Sequence, residues 1–444
     1  MYFNTDDYNL RIQLLESFKK NFLANELEIY EAGKSDFQKT PEETWLTEIG
    51  PVLQELNFAI KNLKKWMTPQ KVKTNPFNFM HKSYIGYEPI GKVLIIGCWT
   101  TPFAYCFIPL INALSAGNTI ILKPSEKAPY SSFVIFKIIG ESFDLQSVKC
   151  IEGEGQETVK MILATHKLNH VFFTGSGLVG RQIIKQTSEN LIPVSFSLNN
   201  FCPCIVDQDA DLVTAARRII SAKFLNAGQY CLAPNYLLVH QRIYFKFRDI
   251  LIKEVIKMFK PDNNGFVFCG KIIDATQFQR LKRMIVGKTI LFGGQTNELE
   301  LLIEPTIIEY TSNKDPIFLE EILGPVLPLS VFDFMDDVIS LFRKHRGCLA
   351  YYIFTSDSNN ILNWIKRIDG GGYIGFNTVG WIATNPELPY VNSGFRGLGQ
   401  YHGKHGFDTF SIMKSIMTTG YFFDRKFLYP PYFNKLTKIK KLMK

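Results

Sequence analysis

From Asp7 to about Lys65 the apolar residues recur at helical spacing: Leu14, Leu15, Phe18, Phe22 and Leu23, then Ile49, Val52, Leu53, Leu56, Ile60 and Leu63. This is the signature of helices with one buried face. Thr40-Pro41-Glu42-Glu43 reads as a helix start, a capping hydroxyl followed by proline and acidic residues. Pro69 and Pro76 punctuate the next segment, and the aromatic-rich stretch from Phe77 to Tyr87 predicts a strand or hairpin arm of the kind that pairs subunits. The pattern then changes. Gly91-Lys92-Val93-Leu94-Ile95-Ile96-Gly97 is a continuous apolar run of strand length, as a sheet buried on both faces requires. A helix opening at Pro102 and reaching Leu114, a second buried strand within 118–126, and a helix from Pro129 to Phe143 complete the βαβα alternation of a doubly wound sheet.

Ligands of such sheets lie at the carboxyl ends of the strands, which puts Trp99, Thr100, Lys123 and Glu126 beside a crevice; Lys123 and Glu126 also read as a surface ion pair. A third strand, His170 to Phe173, runs into Gly175-Ser176-Gly177-Leu178-Val179-Gly180 and then a helix to about Ser188. This is G-x-G-x-x-G in the strand-to-helix context where glycines admit a pyrophosphate to a helix N-terminus. The acidic residue usually found about 20 positions on is absent, since Ser197 and Asn199 occupy that zone. Glu126 is the better partner for a ribose hydroxyl, which favours NAD over a 2′-phosphorylated dinucleotide.

Between a helical run through Asp211 to Asn226 and the apolar strand Tyr236-Leu237-Leu238-Val239 lies Gly228-Gln229-Tyr230-Cys231-Leu232-Ala233-Pro234. Cys231 is therefore a thiol on a turn or helix start. Two readings stand at this point: a nucleophile whose thiolate is stabilised by nearby helix-terminal N–H groups, or a buried structural cysteine.

Composition narrows the setting. The 444 residues exceed what one core usually serves, and 46% hydrophobic with 20% charged residues describes a folded chain of two or three domains. Basic and acidic residues are interleaved along most of the length, so the formal charge of +9 does not mark a nucleic-acid surface. Eight cysteines at neither framework nor zinc spacings fit a reducing, cytoplasmic setting. His402 and His405 lack a third ligand, so no metal is expected. Residues 433–444 form a lysine-rich tail, read as a solvated, frayed terminus, with contact to an anionic membrane as the alternative.

With Cys231 in view the motifs become specific. Lys123-Pro124-Ser125-Glu126, Phe173-Thr174-Gly175-Ser176, Gly228 to Pro234, Glu321-Ile322-Leu323-Gly324-Pro325, Asn385-Pro386-Glu387-Leu388-Pro389 and residues 397–410 together resemble the aldehyde dehydrogenase superfamily, in its class 3 branch, from about Leu14 to Tyr432. The resemblance implies an α/β fold: a Rossmann-type NAD(P)-binding domain over 1–200 with a strand arm at 70–90, a catalytic domain over 201–395, and a return at 396–432 to the cofactor and oligomerisation region. It also implies a homodimer, and oxidation of an aliphatic or aromatic aldehyde through a thioester on Cys231. Lys123, Glu126 and Glu321 would hold the two riboses, with Trp99, Gly175, Ser176, Gly177, Gly180 and Leu198 also at the cofactor.

Departures from the family pattern touch the chemistry. Thr100 stands where the family has the asparagine that donates to the oxyanion, Ser197 where it has the glutamate base for deacylation, Asn199 and Asn200 where it has glycines, Phe201 where it has lysine, and Leu323 where it has phenylalanine. Losing one oxyanion donor costs about 10²–10³ in rate, and losing a general base about 10²–10⁴. Three outcomes are compatible with this: a working enzyme in which Thr100, the Cys231 amide or another group substitutes, one that deacylates slowly or passes its acyl group to a thiol such as coenzyme A, and a binding protein descended from an enzyme.

Overall fold

The computed structural model describes residues 5–443 apart from 79–80, 199–200, 260–268, 311–316, 318–319, 345–347, 371, 393, 395–396 and 422–423. Asn199 and Asn200 thus lie outside the described residues.

The amino-terminal periodicity becomes the helices Thr5–Ala24, Glu26–Phe37 and Gly50–Met67, whose apolar stripes are buried through Phe18, Phe22, Leu56 and Leu63. Thr40 caps the short helix Pro41–Thr44, its hydroxyl accepting from the Glu43 N–H at 3.2 Å. These helices pack on the helices Pro102–Ala116 and Pro129–Ser142, which lie against a seven-stranded sheet whose spatial order is Tyr390–Asn392, Gly397–Tyr401, Val194–Leu198, His170–Gly175, Lys92–Ile96, Thr119–Lys123 and Val148–Cys150. The last five strands are mutually parallel, and Gly397–Tyr401 runs antiparallel to both of its neighbours. The chain builds outward from Lys92–Ile96 to Val148–Cys150, then restarts on the other side with His170–Gly175. The order therefore reverses between Lys92–Ile96 and His170–Gly175, where a doubly wound sheet opens its crevice.

A second seven-stranded sheet has the order Thr289–Phe292, Thr306–Glu309, Val326–Phe332, Tyr236–His240, Pro203–Val206, Ala350–Phe354 and Tyr373–Phe376, parallel except at its first strand. The return to the first sheet begins at Tyr390, ahead of the expected residue 396. The arm is three-stranded and antiparallel, with Lys82–Pro89 between Gln70–Val72 and the distant Ser411–Thr418. Of the tail, Leu436–Met443 forms a helix with no buried residue, where the sequence suggested fraying. No helix among the described residues is long and apolar enough to cross a membrane.

His170 opens the central strand with its ring 5% exposed, Nε2 on the Ser195 hydroxyl at 3.0 Å and Nδ1 without a partner. Burial pushes its pKa down to about 4. The unfolded chain binds a proton near pH 6.5 and the native one does not, so stability falls as pH drops from about 6.5 to about 4, by about 3 kcal/mol. Urea unfolding across that window should show this slope, and His170→Gln should flatten it; equal slopes in both proteins would refute the assignment.

Candidate active site

The helix Leu212–Phe224 ends in a turn that no ordinary helix cap would make. Asn226 and Ala227 adopt left-handed backbone at φ 53° and 52°, and Gly228 follows at φ +68°. A side chain at 228 would place its Cβ 2.2 Å from the Gly324 carbonyl oxygen, so glycine there lets the loop carrying Glu321 close onto the loop carrying Cys231. The Asn226 side chain donates to the carbonyls of Thr100 at 2.7 Å and Gln229 at 3.0 Å, and its N–H donates to Glu43 at 3.0 Å. Beyond the thiol the loop is clamped again. The Tyr352 hydroxyl donates to the Leu232 carbonyl at 2.8 Å, Lys223 Nζ to the Pro234 carbonyl at 2.9 Å, and Cys202 Sγ to the Cys231 carbonyl at 3.2 Å. Cys231 therefore lies between the two sheets, in the loop leading into Tyr236–His240 and against the segment leaving Val194–Leu198.

The thiol is 5% exposed, and burial pushes it up to about 12. Hydrogen bonds from Tyr105 and Tyr390 oppose this shift, while Glu321 and Cys98 add to it. Desolvation is the largest influence on this thiol and works against the thiolate stabilisation expected from helix-terminal N–H groups. The Tyr105 and Tyr390 hydroxyls both contact Sγ, the latter at 3.4 Å. Tyr390 is paired across the strands with Tyr401, their rings 4.8 Å apart, and both stack on His402. His402 Nδ1 is held by Glu55 at 3.1 Å, and no group of three or more metal-ligating side chains occurs among the described residues.

Neither substituted position faces the thiol as an obvious replacement. Thr100 is fully buried with its hydroxyl on Cys98 Sγ at 3.6 Å. Ser197, 4% exposed in its strand, is hydrogen-bonded to the Tyr401 hydroxyl. A serine hydroxyl in that bond has no basic atom to offer water at neutral pH.

A cavity of about 510 Å³ opens at the reversal point of the first sheet, lined at the strand ends by Ile96, Gly97 and residues 173–176. Its volume is within the range of about 300–1,000 Å³ for small-molecule sites. Of the residues expected at a cofactor, Trp99, Lys123, Glu126, Gly175, Ser176 and Glu321 line it. Gly177, Gly180 and Leu198 do not. A Cβ at Gly180 would meet the Leu198 side chain at 3.0 Å, so that glycine packs the helix Gly177–Thr187 onto the neighbouring strand, with Leu198 in an apolar cluster. Ser176 caps this helix by accepting from the Val179 N–H at 3.4 Å.

Lys123 is 1% exposed, so its 2.8 Å bond to Glu126 is not a surface ion pair. Burial works to raise the Glu126 pKa, but the hydrogen bond and charge of Lys123 outweigh it and keep the carboxylate below its ordinary range. Glu321 has its Oε1 enclosed without a partner, and desolvation pushes its carboxyl up to about 8 against the pull of Arg280 and Lys223. An enclosed acceptor lacking a donor fits a ligand hydroxyl. Glu321 and Cys98 both line the cavity and act electrostatically on Cys231, so cavity and thiol are adjacent parts of one site.

Sequence reasoning missed Tyr105, Tyr390, Tyr401 and Lys223. Helical spacing would have put Tyr105 one turn after Thr101, but nothing local marks the other three as neighbours of Cys231.

The chain matches the sequence profile described as the aldehyde dehydrogenase family over residues 4–416. It is 36% identical to 4,4′-diaponeurosporen-aldehyde dehydrogenase of Staphylococcus aureus, over 100% of this chain and 97% of that protein. It is 31% identical to the dimeric NADP-preferring aldehyde dehydrogenase of Canis lupus familiaris, over 98% and 96%. The solved substrate-bound state of Staphylococcus aureus AldH superposes with a TM-score of 0.93 at 35% identity, covering 98% of this chain and 95% of that one. A doubly wound sheet with a crevice at its reversal point, a second sheet presenting a clamped cysteine loop, and these matches along the whole chain establish that it belongs to the aldehyde dehydrogenase family, whose members are NAD(P)-dependent oxidoreductases of aldehydes.

Proposed function

We propose that this protein oxidises an aliphatic or aromatic aldehyde with NAD through a thioester on Cys231, and that release of the acid is slow. The observation that carries the reading is the clamped Cys231 loop closed against Glu321 at the wall of the cavity. A bound oxidised nicotinamide would supply the hydride acceptor. Lys123 would orient Glu126 toward one ribose, and the enclosed Glu321 Oε1 would take a hydroxyl of the other. The negative charge of Glu126 favours a free 2′-hydroxyl over a 2′-phosphate, hence NAD. Cys231 gives up its proton and attacks the aldehyde carbon.

Slow release is a consequence of the thiol's surroundings. The side chains bonded to Cys231 Sγ are phenols that burial holds protonated, and Ser197 is a hydrogen-bond donor, so none of them draws a proton from attacking water. The missing base corresponds to about 10²–10⁴ in deacylation rate. Mixing the protein with NAD and hexanal or benzaldehyde should therefore give a burst of about one reduced nicotinamide per Cys231, followed by a slow phase that an added thiol accelerates. Linear turnover without a burst would refute slow deacylation, and no reduction at all would refute the whole reading.

The arm supports a homodimer. Its edge strand Ser411–Thr418 exposes Ile412, Met413 and Met417 beside unpaired backbone, which a second copy would cover.

A further inference from the structure

The group that receives the developing negative charge on the aldehyde oxygen has to lie close to Sγ, because that oxygen is only two bonds from the sulfur once the C–S bond forms. Several nearby side-chain donors are already committed. The Thr100 hydroxyl is on Cys98, both bonds of the Asn226 amide go to the Thr100 and Gln229 carbonyls, and Lys223 Nζ is on the Pro234 carbonyl. Two hydroxyls point at Sγ itself, those of Tyr105 and Tyr390.

Both are rigidly mounted. Tyr105 is on the first turn of the helix Pro102–Ala116, its N–H donating to the Thr101 carbonyl at 3.0 Å, and its side chain is enclosed. Tyr390 is fixed by its strand pairing with Tyr401 and by the edge of Tyr373 at 5.1 Å between ring centres. Donors held in place before the reaction need no reorganisation as charge develops, which is what an oxyanion site requires. Burial pushes both phenols well above their ordinary range, so each keeps its proton to donate.

We propose that the hydroxyls of Tyr105 and Tyr390 together form the oxyanion site of this enzyme, taking the place that Thr100 leaves empty. The inference rests on the reading of Cys231 as nucleophile. The thiol proton passes to solvent, the Sγ electron pair forms the C–S bond, and the carbonyl π pair moves onto oxygen, where the two phenols hold it by hydrogen bonds without losing their protons. The carbonyl re-forms as the hydride leaves with its electron pair, for which a bound oxidised nicotinamide would be the acceptor, giving the thioester, and the phenols return to Sγ.

The test uses Tyr105→Phe, Tyr390→Phe and the double variant in the full-length protein, with two readouts: the burst rate with NAD and hexanal, and the rate of Cys231 alkylation by iodoacetamide, mapped by mass spectrometry. Tyr105→Phe is expected to lower the burst rate by about 10²-fold, Tyr390→Phe by about tenfold and the double variant further, with alkylation falling by a clearly smaller factor, because the same hydroxyls also favour the thiolate. An unchanged burst in both single variants overturns the proposal, as does alkylation falling in parallel with the burst, which would mean that the hydroxyls serve the thiol alone. If Tyr105→Phe does not fold, Tyr390→Phe decides by the same two rates. A wild-type protein that is alkylated at Cys231 but gives no burst overturns both this proposal and the nucleophile reading, whereas a wild-type burst that survives the Phe substitutions overturns this proposal alone.

Discussion

Replacing Cys231 by alanine is expected to lower the rate of nicotinamide reduction by at least about 10³-fold, since removing a covalent nucleophile removes the reaction path and not merely one of its helpers. No neighbouring thiol stands ready to substitute. Cys202 is bonded to the Cys231 carbonyl and Cys98 to the Thr100 hydroxyl, and burial holds both above their ordinary range. The loop itself should survive, because its shape depends on Asn226, Lys223, Tyr352 and Gly228 and not on the sulfur. Dinucleotide binding, followed by quenching of protein fluorescence, is therefore expected to persist in Cys231→Ala while hydride transfer disappears. Retained turnover would show that another group carries the chemistry.

The second large effect is the pH dependence of the free thiol. A native pKa of about 12 leaves a thiolate fraction of about 10⁻⁵ at pH 7, rising tenfold with each pH unit. Alkylation of Cys231 by iodoacetamide should accordingly rise about 10³-fold from pH 7 to pH 10 without levelling, whereas an unperturbed thiol levels off near pH 8.5–9. The linkage has a definite sign. The unfolded cysteine ionises first as pH rises, so the stability contributed by the buried neutral thiol is fully present below about pH 9 and is lost between about pH 9 and about pH 12. A plateau in alkylation at or below pH 8 would mean that N–H groups stabilise the thiolate after all. The same rates measured with NAD bound would show whether filling the cavity changes the environment of the thiol.

Those two effects depend on different kinds of information. The choice of Cys231 as the residue to replace comes from the family resemblance, which the contiguous residues Gly228-Gln229-Tyr230-Cys231 carry in the sequence. Its pKa was not legible: a turn near a helix end suggested a stabilised thiolate, and only the packing of Tyr105, Tyr390 and the second sheet around it shows that desolvation wins. The glycine loop divides in the same way. Its strand-to-helix context was read correctly, and Gly175 and Ser176 do line the cavity. Gly177 and Gly180 instead face Leu198, because which side of a helix meets the neighbouring strand depends on how the two are packed.

By itself the sequence determined the amino-terminal helices and the βαβα alternation of the doubly wound half, since helical period, continuous apolar runs and turn residues act over a few positions. It also placed Thr100 and Ser197 at the two positions where the resemblance implies asparagine and glutamate, because identity at a motif position is a local fact. The tertiary structure decided what those departures left behind: a Thr100 hydroxyl turned to Cys98, a Ser197 hydroxyl spent on Tyr401, and two phenols brought to the thiol from 126 and 159 residues away. Contacts at such separation arise when two sheets close on one another, and no short-range pattern encodes which side chains meet at the seam.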